Sequence, residues 1–214
     1  MMLKLKTGPA LEPVFSTEAK LFLKVDDTTD DMLIWALITA ARKAAEEYTG
    51  RAFITQTWEL FLDGVGSGIP AEIEDAYEDV YRTEYVPSAF RSIILPRPPA
   101  ISITSIKYYD VDDAEHVWAS TNYRLDSYSE PGRVILTATG EWPTDLRPQQ
   151  GILVTYASGY GAAAVDVPED IRTAIKRILA GLYENRQDEI VGAVAAKLDL
   201  TAKALLEPYR VVRL

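Results

Sequence analysis

Apolar residues recur at helical spacing over 167–186. Ile171, Ala174, Ile175, Ile178, Leu179, Leu182 and Tyr183 stand at i, i+3, i+4, i+7, i+8, i+11 and i+12. That spacing puts them on one continuous stripe of a helix, with Lys176 and Arg177 on the far side. Pro168 suits the first turn, where a missing N–H costs nothing, and Glu169 and Asp170 complement the positive end of the helix dipole. A second stripe predicts a helix over 30–49. Its apolar line is Leu33, Leu37, Ala41, Ala44 and Tyr48, with Ile34, Ile38 and Ala45 beside it. Thr28 and Asp31 have the spacing of a capping box, and Gly50 is placed to end the helix. Shorter helices are expected over 17–24, capped by Ser16, and over 200–207, stopped by Pro208. Each long helix can cover the other's stripe. The expected helix–helix core is Leu33, Leu37 and Ala41 against Ile171, Ile175, Ile178 and Leu182.

Between these helices the period drops to two. Strands are expected over 55–62 (Trp58, Leu60 and Leu62 on one face), 92–95, 101–109, 116–118, 123–125, 133–137 and 152–156. Turn-forming runs separate them, among them Pro96-Arg97-Pro98-Pro99 and Ser129-Glu130-Pro131-Gly132. Ile73, Tyr77, Val80 and Tyr81 are spaced for a short helix over 71–81. The predicted fold class is α+β: an antiparallel α-helical bundle of two long helices plus short N- and C-terminal ones, carrying an inserted antiparallel β-rich subdomain. The expected divisions are 1–54, first half of the helical part; 55–158, the β-rich subdomain with an acidic insertion at 63–90; 159–208, second half of the helical part; and 209–214, a C-terminal arm.

Composition narrows the chemistry. With 48% hydrophobic residues among 214 a substantial core can form. There is no cysteine, which removes disulfides and thiolate chemistry, and the single histidine, His116, leaves no imidazole cluster. Neither a membrane span nor a signal peptide is expected. The net charge of −10 is uneven. Over 63–90, seven acids (Asp63, Glu72, Glu74, Asp75, Glu78, Asp79, Glu84) face one base, Arg82. Such an excess opposes tight phosphate binding, while leaving room for a protein that sits near DNA without gripping it.

Candidate chemical motifs read more simply as structure. Gly64-Val65-Gly66-Ser67-Gly68 lacks the third glycine of a dinucleotide loop and the Gly-Lys-Ser of a P-loop. Gly159-Tyr160-Gly161-Ala162-Ala163-Ala164 fits G-x-G-x-x-A, but Pro168 puts the helix start several residues later, so it reads as a hinge between sheet and helix. His116 has no accompanying nucleophile elbow. The run 72–79 lacks calcium-loop spacing and reads as a solvated face, and 96–99 as a fixed connection rather than a polyproline ligand. No catalytic, cofactor-binding or metal-binding residues are expected, and no cofactor. A carboxylate-dependent hydrolase on the β-rich part stands as an alternative, requiring two acids that converge in a cleft.

In their order and spacing, several stretches resemble the head–tail connector (adaptor) proteins of tailed phages, prophages and gene-transfer particles. They are STEAKLFLKVDDTTDDMLIWALITAARKAAEEYTGRAFITQTWEL, LPRPPAISITSIKYYD, NYRLDSYSEPGRV, VTYASGYG, VPEDIRTAIKRILAGLYENR and ALLEPYRVVRL. The 63–90 segment departs from that family in length and acidity. The resemblance implies a structural virion protein, not an enzyme. It would form a ring of twelve copies beneath the portal at the neck and extend the DNA channel. Its partners would be the portal, a head-closure, stopper or tail protein, and itself, with no membrane. Assembly would take place in the bacterial host cytoplasm. DNA would pass without specific binding, since a negative wall repels it and lets it slide. Carried over, Tyr209, Arg210, Val211, Val212, Arg213 and Leu214 would be the portal-docking arm, free of the core, with the two long helices as ring body. Another neck or tail-completion component is the nearer alternative.

Overall fold

The computed structural model describes residues 1–64, 92–185 and 200–211. The chain divides into two compact units: one formed by 1–8 and 56–158, the other by 9–55 and 159–214. The class is α+β with antiparallel sheets.

The first unit is built of strands. Among the described residues its strands are β1 (Met2–Thr7), β2 (Gln56–Leu62), β3 (Ile93–Ile94), β4 (Ala100–Tyr109), β5 (Glu115–Val117), β6 (Tyr123–Asp126), β7 (Arg133–Leu136) and β8 (Ile152–Ser158). They form a five-stranded sheet in the order β1-β2-β8-β4-β5 and a three-stranded sheet in the order β3-β7-β6. The inward alternation predicted for β2 holds: Leu60 and Leu62 are buried and lie opposite Val154 and Ile152 of β8. With Ile93, Leu95, Ile106 and Val134 they make one core, and each fully buried aliphatic side chain contributes about 2 kcal/mol of transfer free energy. β4 is longer than its partner β8, and two register shifts, at Ala100/Ser102 and Ile103/Ser105, take up the excess.

Strand β1 corrects the sequence reading, which assigned 1–54 to the helical part. MLKLKT alternates with period two, pairs with β2 from Met2↔Phe61 to Leu5↔Trp58, and packs Leu3 against the β core. Lys6 closes on Glu59 at 2.9 Å.

The second unit contains α1 (Ser16–Leu23), α2 (Asp31–Thr49), α3 (Glu169–Glu184) and α4 (Leu200–Leu206). α2 packs on α3, α3 on α4, and α1 on both α2 and α3. The α3 stripe is buried as its spacing predicts: Ile171, Ala174, Ile175, Ile178 and Leu179 lie in the core, with Leu182 and Tyr183 partly buried against it. On α2 the buried face is rotated from the predicted line. Its centre is Ile34, Ile38, Ala41 and Ala45; Leu37, Ala44 and Tyr48 flank it, and Leu33 is half-buried outside the core cluster.

Helix starts differ from expectation. Phe15, not Ser16, is the α1 cap, and neither α1 nor α2 has a side-chain cap bond. The acids that could have capped α2 are engaged elsewhere. Asp30 accepts a hydrogen bond from the Tyr183 hydroxyl at 2.6 Å, and Asp31 holds Lys20 at 2.7 Å. Gly50 ends α2 in the left-handed region at φ 72°, as its position predicts.

Candidate docking surfaces

The C-terminal residues form the first candidate. Leu206 is fully buried, Pro208 bends the chain into a single 3-10 turn over Glu207–Tyr209, and Tyr209 packs against the helical core. Three contacts fasten the chain from Tyr209 to Val211. The Arg51 Nε donates to the Tyr209 carbonyl, the Val211 N–H donates to the Thr49 carbonyl at 2.8 Å, and the Arg210 guanidinium lies 5.8 Å from the centre of the Tyr48 ring. The left-handed turn at Gly50 matters here too, because a Cβ at that position would lie 3.5 Å from the Val211 Cβ. Tyr48 donates to Glu207, which keeps the Glu207 carboxyl below its ordinary range and pushes the Tyr48 phenol up. The expectation of an arm free from Tyr209 onward is therefore corrected. Tyr209, Arg210 and Val211 rest on the chain's own helical unit because the end of α2 leaves Thr49 with an open carbonyl and Tyr48 with an open ring face. Val212, Arg213 and Leu214 lie outside the described residues.

The second candidate is the opposite end of α2 with the segment before α1. That segment is tied down by charge. Glu12 accepts hydrogen bonds from the buried Arg42 at 2.7 Å and from the Thr39 hydroxyl at 2.9 Å, and Arg42 also reaches Glu46 at 2.7 Å. Glu46 in turn accepts the Phe53 N–H at 3.0 Å. Burial alone would lower the Arg42 pKa, but the bonds from Glu12 and Glu46 outweigh it and hold the guanidinium charged. Farther along, the Pro13 carbonyl accepts from Arg172 at 3.0 Å, and Glu18 of α1 takes Arg172 and Lys176 of α3 at 2.7 and 2.8 Å. Between segment and helix lies a groove of about 680 Å³ whose walls include Leu11, Phe15, Trp35, Ile38 and Thr39.

The other sequence candidates separate. His116 is exposed, bonds Asp110 at 2.7 Å and stacks on Tyr108 with ring centres 5.0 Å apart. That bond, with the Ala114 and Asp112 N–H groups behind it, holds the Asp110 carboxyl below its ordinary range. The Pro96–Pro99 turn is fixed from within: the buried Tyr156 hydroxyl donates to the Pro96 carbonyl at 2.6 Å, and Arg97 stands 5.6 Å over the Trp58 ring. At the expected hinge, Gly159 has φ 138° and a Cβ there would meet the Ile54 and Thr55 backbone at 2.7 Å. The Asp166 carboxylate caps the Ala163 N–H at 2.8 Å, and α3 opens only at Glu169, so no helix N-terminus meets the glycines. Most of the Gly64–Gly68 run and all of 71–81, with Ile73, Tyr77 and the acids from Glu72 to Glu84, lie outside the described residues. Trp118 stacks with Trp142 and Tyr123 in the β core at 5.0 and 4.9 Å, whereas Trp35 is exposed.

Among the described residues no three His, Asp or Glu side chains are grouped to hold a metal. The carboxylates of Glu18, Asp110, Glu115, Asp126 and Glu207 are each held below their ordinary values by hydrogen-bond donors beside them, the opposite of the raised pKa that a catalytic general acid needs.

Comparison with known proteins points one way. Residues 17–89 match the family model of the phage gp6-like head-tail connector protein. No curated protein matches the chain in sequence. Solved structures share its fold over the whole length. A chain in the neck of an empty gene transfer agent particle, computed with C6 symmetry, is 21% identical with a TM-score of 0.73. The comparison covers 100% of this chain and 97% of that one. A chain in the virion of a native gene transfer agent particle is 23% identical with a TM-score of 0.72 over the same shares. One in the neck of a native particle, computed with C12 symmetry, is 23% identical with a TM-score of 0.65, again over 100% and 97%. The likeness to the connector family thus lies in the sequence of 17–89, and the fold of the whole chain is shared with chains of gene transfer agent particles.

Proposed function

We propose that this chain is a head–tail connector of a phage, prophage or gene-transfer particle, a structural virion protein without catalytic activity. In this reading twelve copies form a ring beneath the portal. The α1–α4 bundle is the ring body, the channel wall carries the chain's excess of carboxylates, and DNA slides past without specific contacts. The portal binds on one side and a head-closure, stopper or tail protein on the other. The protein assembles in the host cytoplasm and ends in the neck of the particle.

The observation that carries the reading is the coincidence of two independent likenesses: the connector family's sequence pattern over 17–89 and a neck-protein fold over all of this chain. With Tyr209, Arg210 and Val211 fastened to α2, the docking arm of this reading reduces to Val212, Arg213 and Leu214, and the fastened residues become its root. A second reading, another neck component, has one observation in its favour: the similar structures are described by particle and neck, without a component.

Electron microscopy of the full chain mixed with the portal protein of the same particle tests this. Rings on the portal are expected, with weaker attachment when 212–214 are deleted. A chain that neither forms rings nor binds portal overturns the connector reading. Rings that bind only a tail-side protein favour the other neck component.

A further inference from the structure

After its first residue, Asp31, which is paired with Lys20, α2 carries no charge for nearly three turns: from Met32 to Ala41 the residues run Met, Leu, Ile, Trp, Ala, Leu, Ile, Thr, Ala, Ala. A helix at the surface of a folded unit needs one apolar face, and that of α2 is already taken up by the core through Ile34, Ile38 and Ala41. Its outer face is apolar all the same. Met32 is 85% exposed and Trp35 61%, and Ala36 and Ala40 are exposed beside them. The groove walled by Trp35 and Phe15 continues this face. Monomeric proteins seldom leave such a surface to water.

We propose that this face, Trp35 and the groove beside it, is where a second copy of the chain packs, forming the lateral contact of the ring; the inference rests on the connector reading. Charge selects the occupant. Two copies that each carry −10 repel one another over most of their surface. They meet at least cost where charge is absent or already neutralised. At the start of the α2 face Asp31 is paired with Lys20, and the one carboxylate in the groove wall, Glu12, is neutralised by Arg42. Nucleic acid would need Lys or Arg in the groove wall, and there is none. A closed ring is heterologous, so this face receives a different surface of the next copy, and an exposed tryptophan beside a groove is the kind of residue on which such contacts concentrate their energy.

The full chain, with portal protein present, is compared with Trp35→Glu by analytical ultracentrifugation. The second reporter is Ala36→Cys, whose thiol is unique because the chain has no cysteine. Trp35→Glu is expected to keep the wild-type circular dichroism and to weaken self-association by at least about tenfold, the loss of one hot-spot contact. The Ala36→Cys thiol is expected to label at least about tenfold more slowly in rings than in monomers. If Trp35→Glu does not fold, the labelling rates decide alone. Rings of Ala36→Cys in which the thiol labels as fast as in monomers overturn this contact and leave the connector reading standing. So does protection that depends on portal without self-association, which would assign the face to the portal. A wild-type chain that never assembles overturns both.

Discussion

The guanidinium of Arg42, on α2, lies 2.7 Å from a carboxylate oxygen of Glu12, thirty residues earlier in the segment that precedes α1. Arg42 is only 5% exposed, and its second partner, Glu46, is buried beside it. A buried charge is tolerable when paired and costly when stranded. Arg42→Ala would leave two carboxylates without their partner and should destabilise by roughly 3–5 kcal/mol in urea unfolding. The double variant Glu12→Ala/Arg42→Ala should lose less than the sum of the two single changes; strict additivity would show that the pair does not couple.

The rotation of α2 can be read from stability. Ile34 is fully buried, Leu33 half-buried. Ile34→Ala should cost about 2–5 kcal/mol, the range for emptying a core position, and Leu33→Ala clearly less. Equal losses would restore the line through Leu33, Leu37 and Ala41 as the centre of the helix–helix core.

Acid should act partly through Asp126. Hydrogen bonds from Arg133 and Ser129, both at 2.8 Å, pull its pKa from 3.8 to about 2. A carboxylate depressed on folding stabilises the fold fully above its unfolded value. That contribution is present above pH 3.8 and fades as the pH falls to about 2. The difference in thermal midpoint between wild type and Asp126→Asn should therefore shrink over that window. A difference that stays constant from neutral pH down to pH 2 would assign the effect to something other than this ionisation.

The fastening of the C-terminal residues gives a fourth test. Tyr209 packs on the helical core and lends its carbonyl to Arg51. Tyr209→Ala should cost about 1–2 kcal/mol in urea unfolding, against within about 0.5 for a residue on a free arm.

Long-range apolar spacing carried well from sequence to structure. The α3 stripe was legible because Lys176, Arg177 and the first-turn acids mark its polar side. α2 was not, because an uncharged run from 32 to 41 offers two neighbouring stripes of equal greasiness, and only contact with α3 chooses between them. The strands of the β unit emerged from alternation and turn residues. β1 was missed although it alternates, since only pairing with β2, more than fifty positions away, gives its six residues a place. The capping expectations failed for a related reason: Asp30 and Asp31 find distant partners, Tyr183 and Lys20, that no local spacing announces. For the docking surfaces, the sequence marked the basic, apolar C-terminal residues but not that Thr49 and Tyr48 would hold their root. Nor did it single out Trp35, whose exposure depends on which way α2 is turned.

The join at Ile54 and Gly161 has a consequence for how such a chain can change. There the Thr55 N–H reaches the Gly161 carbonyl at 2.9 Å and the Tyr160 N–H reaches the Phe53 carbonyl at 2.8 Å. The hundred residues between leave and return through a gap already stitched shut. Lengthening or trimming that excursion adds only the slowly growing entropy of a longer closed loop, a few tenths of a kcal/mol at a time. Related chains are free to vary widely in that excursion while the helical unit keeps a common shape.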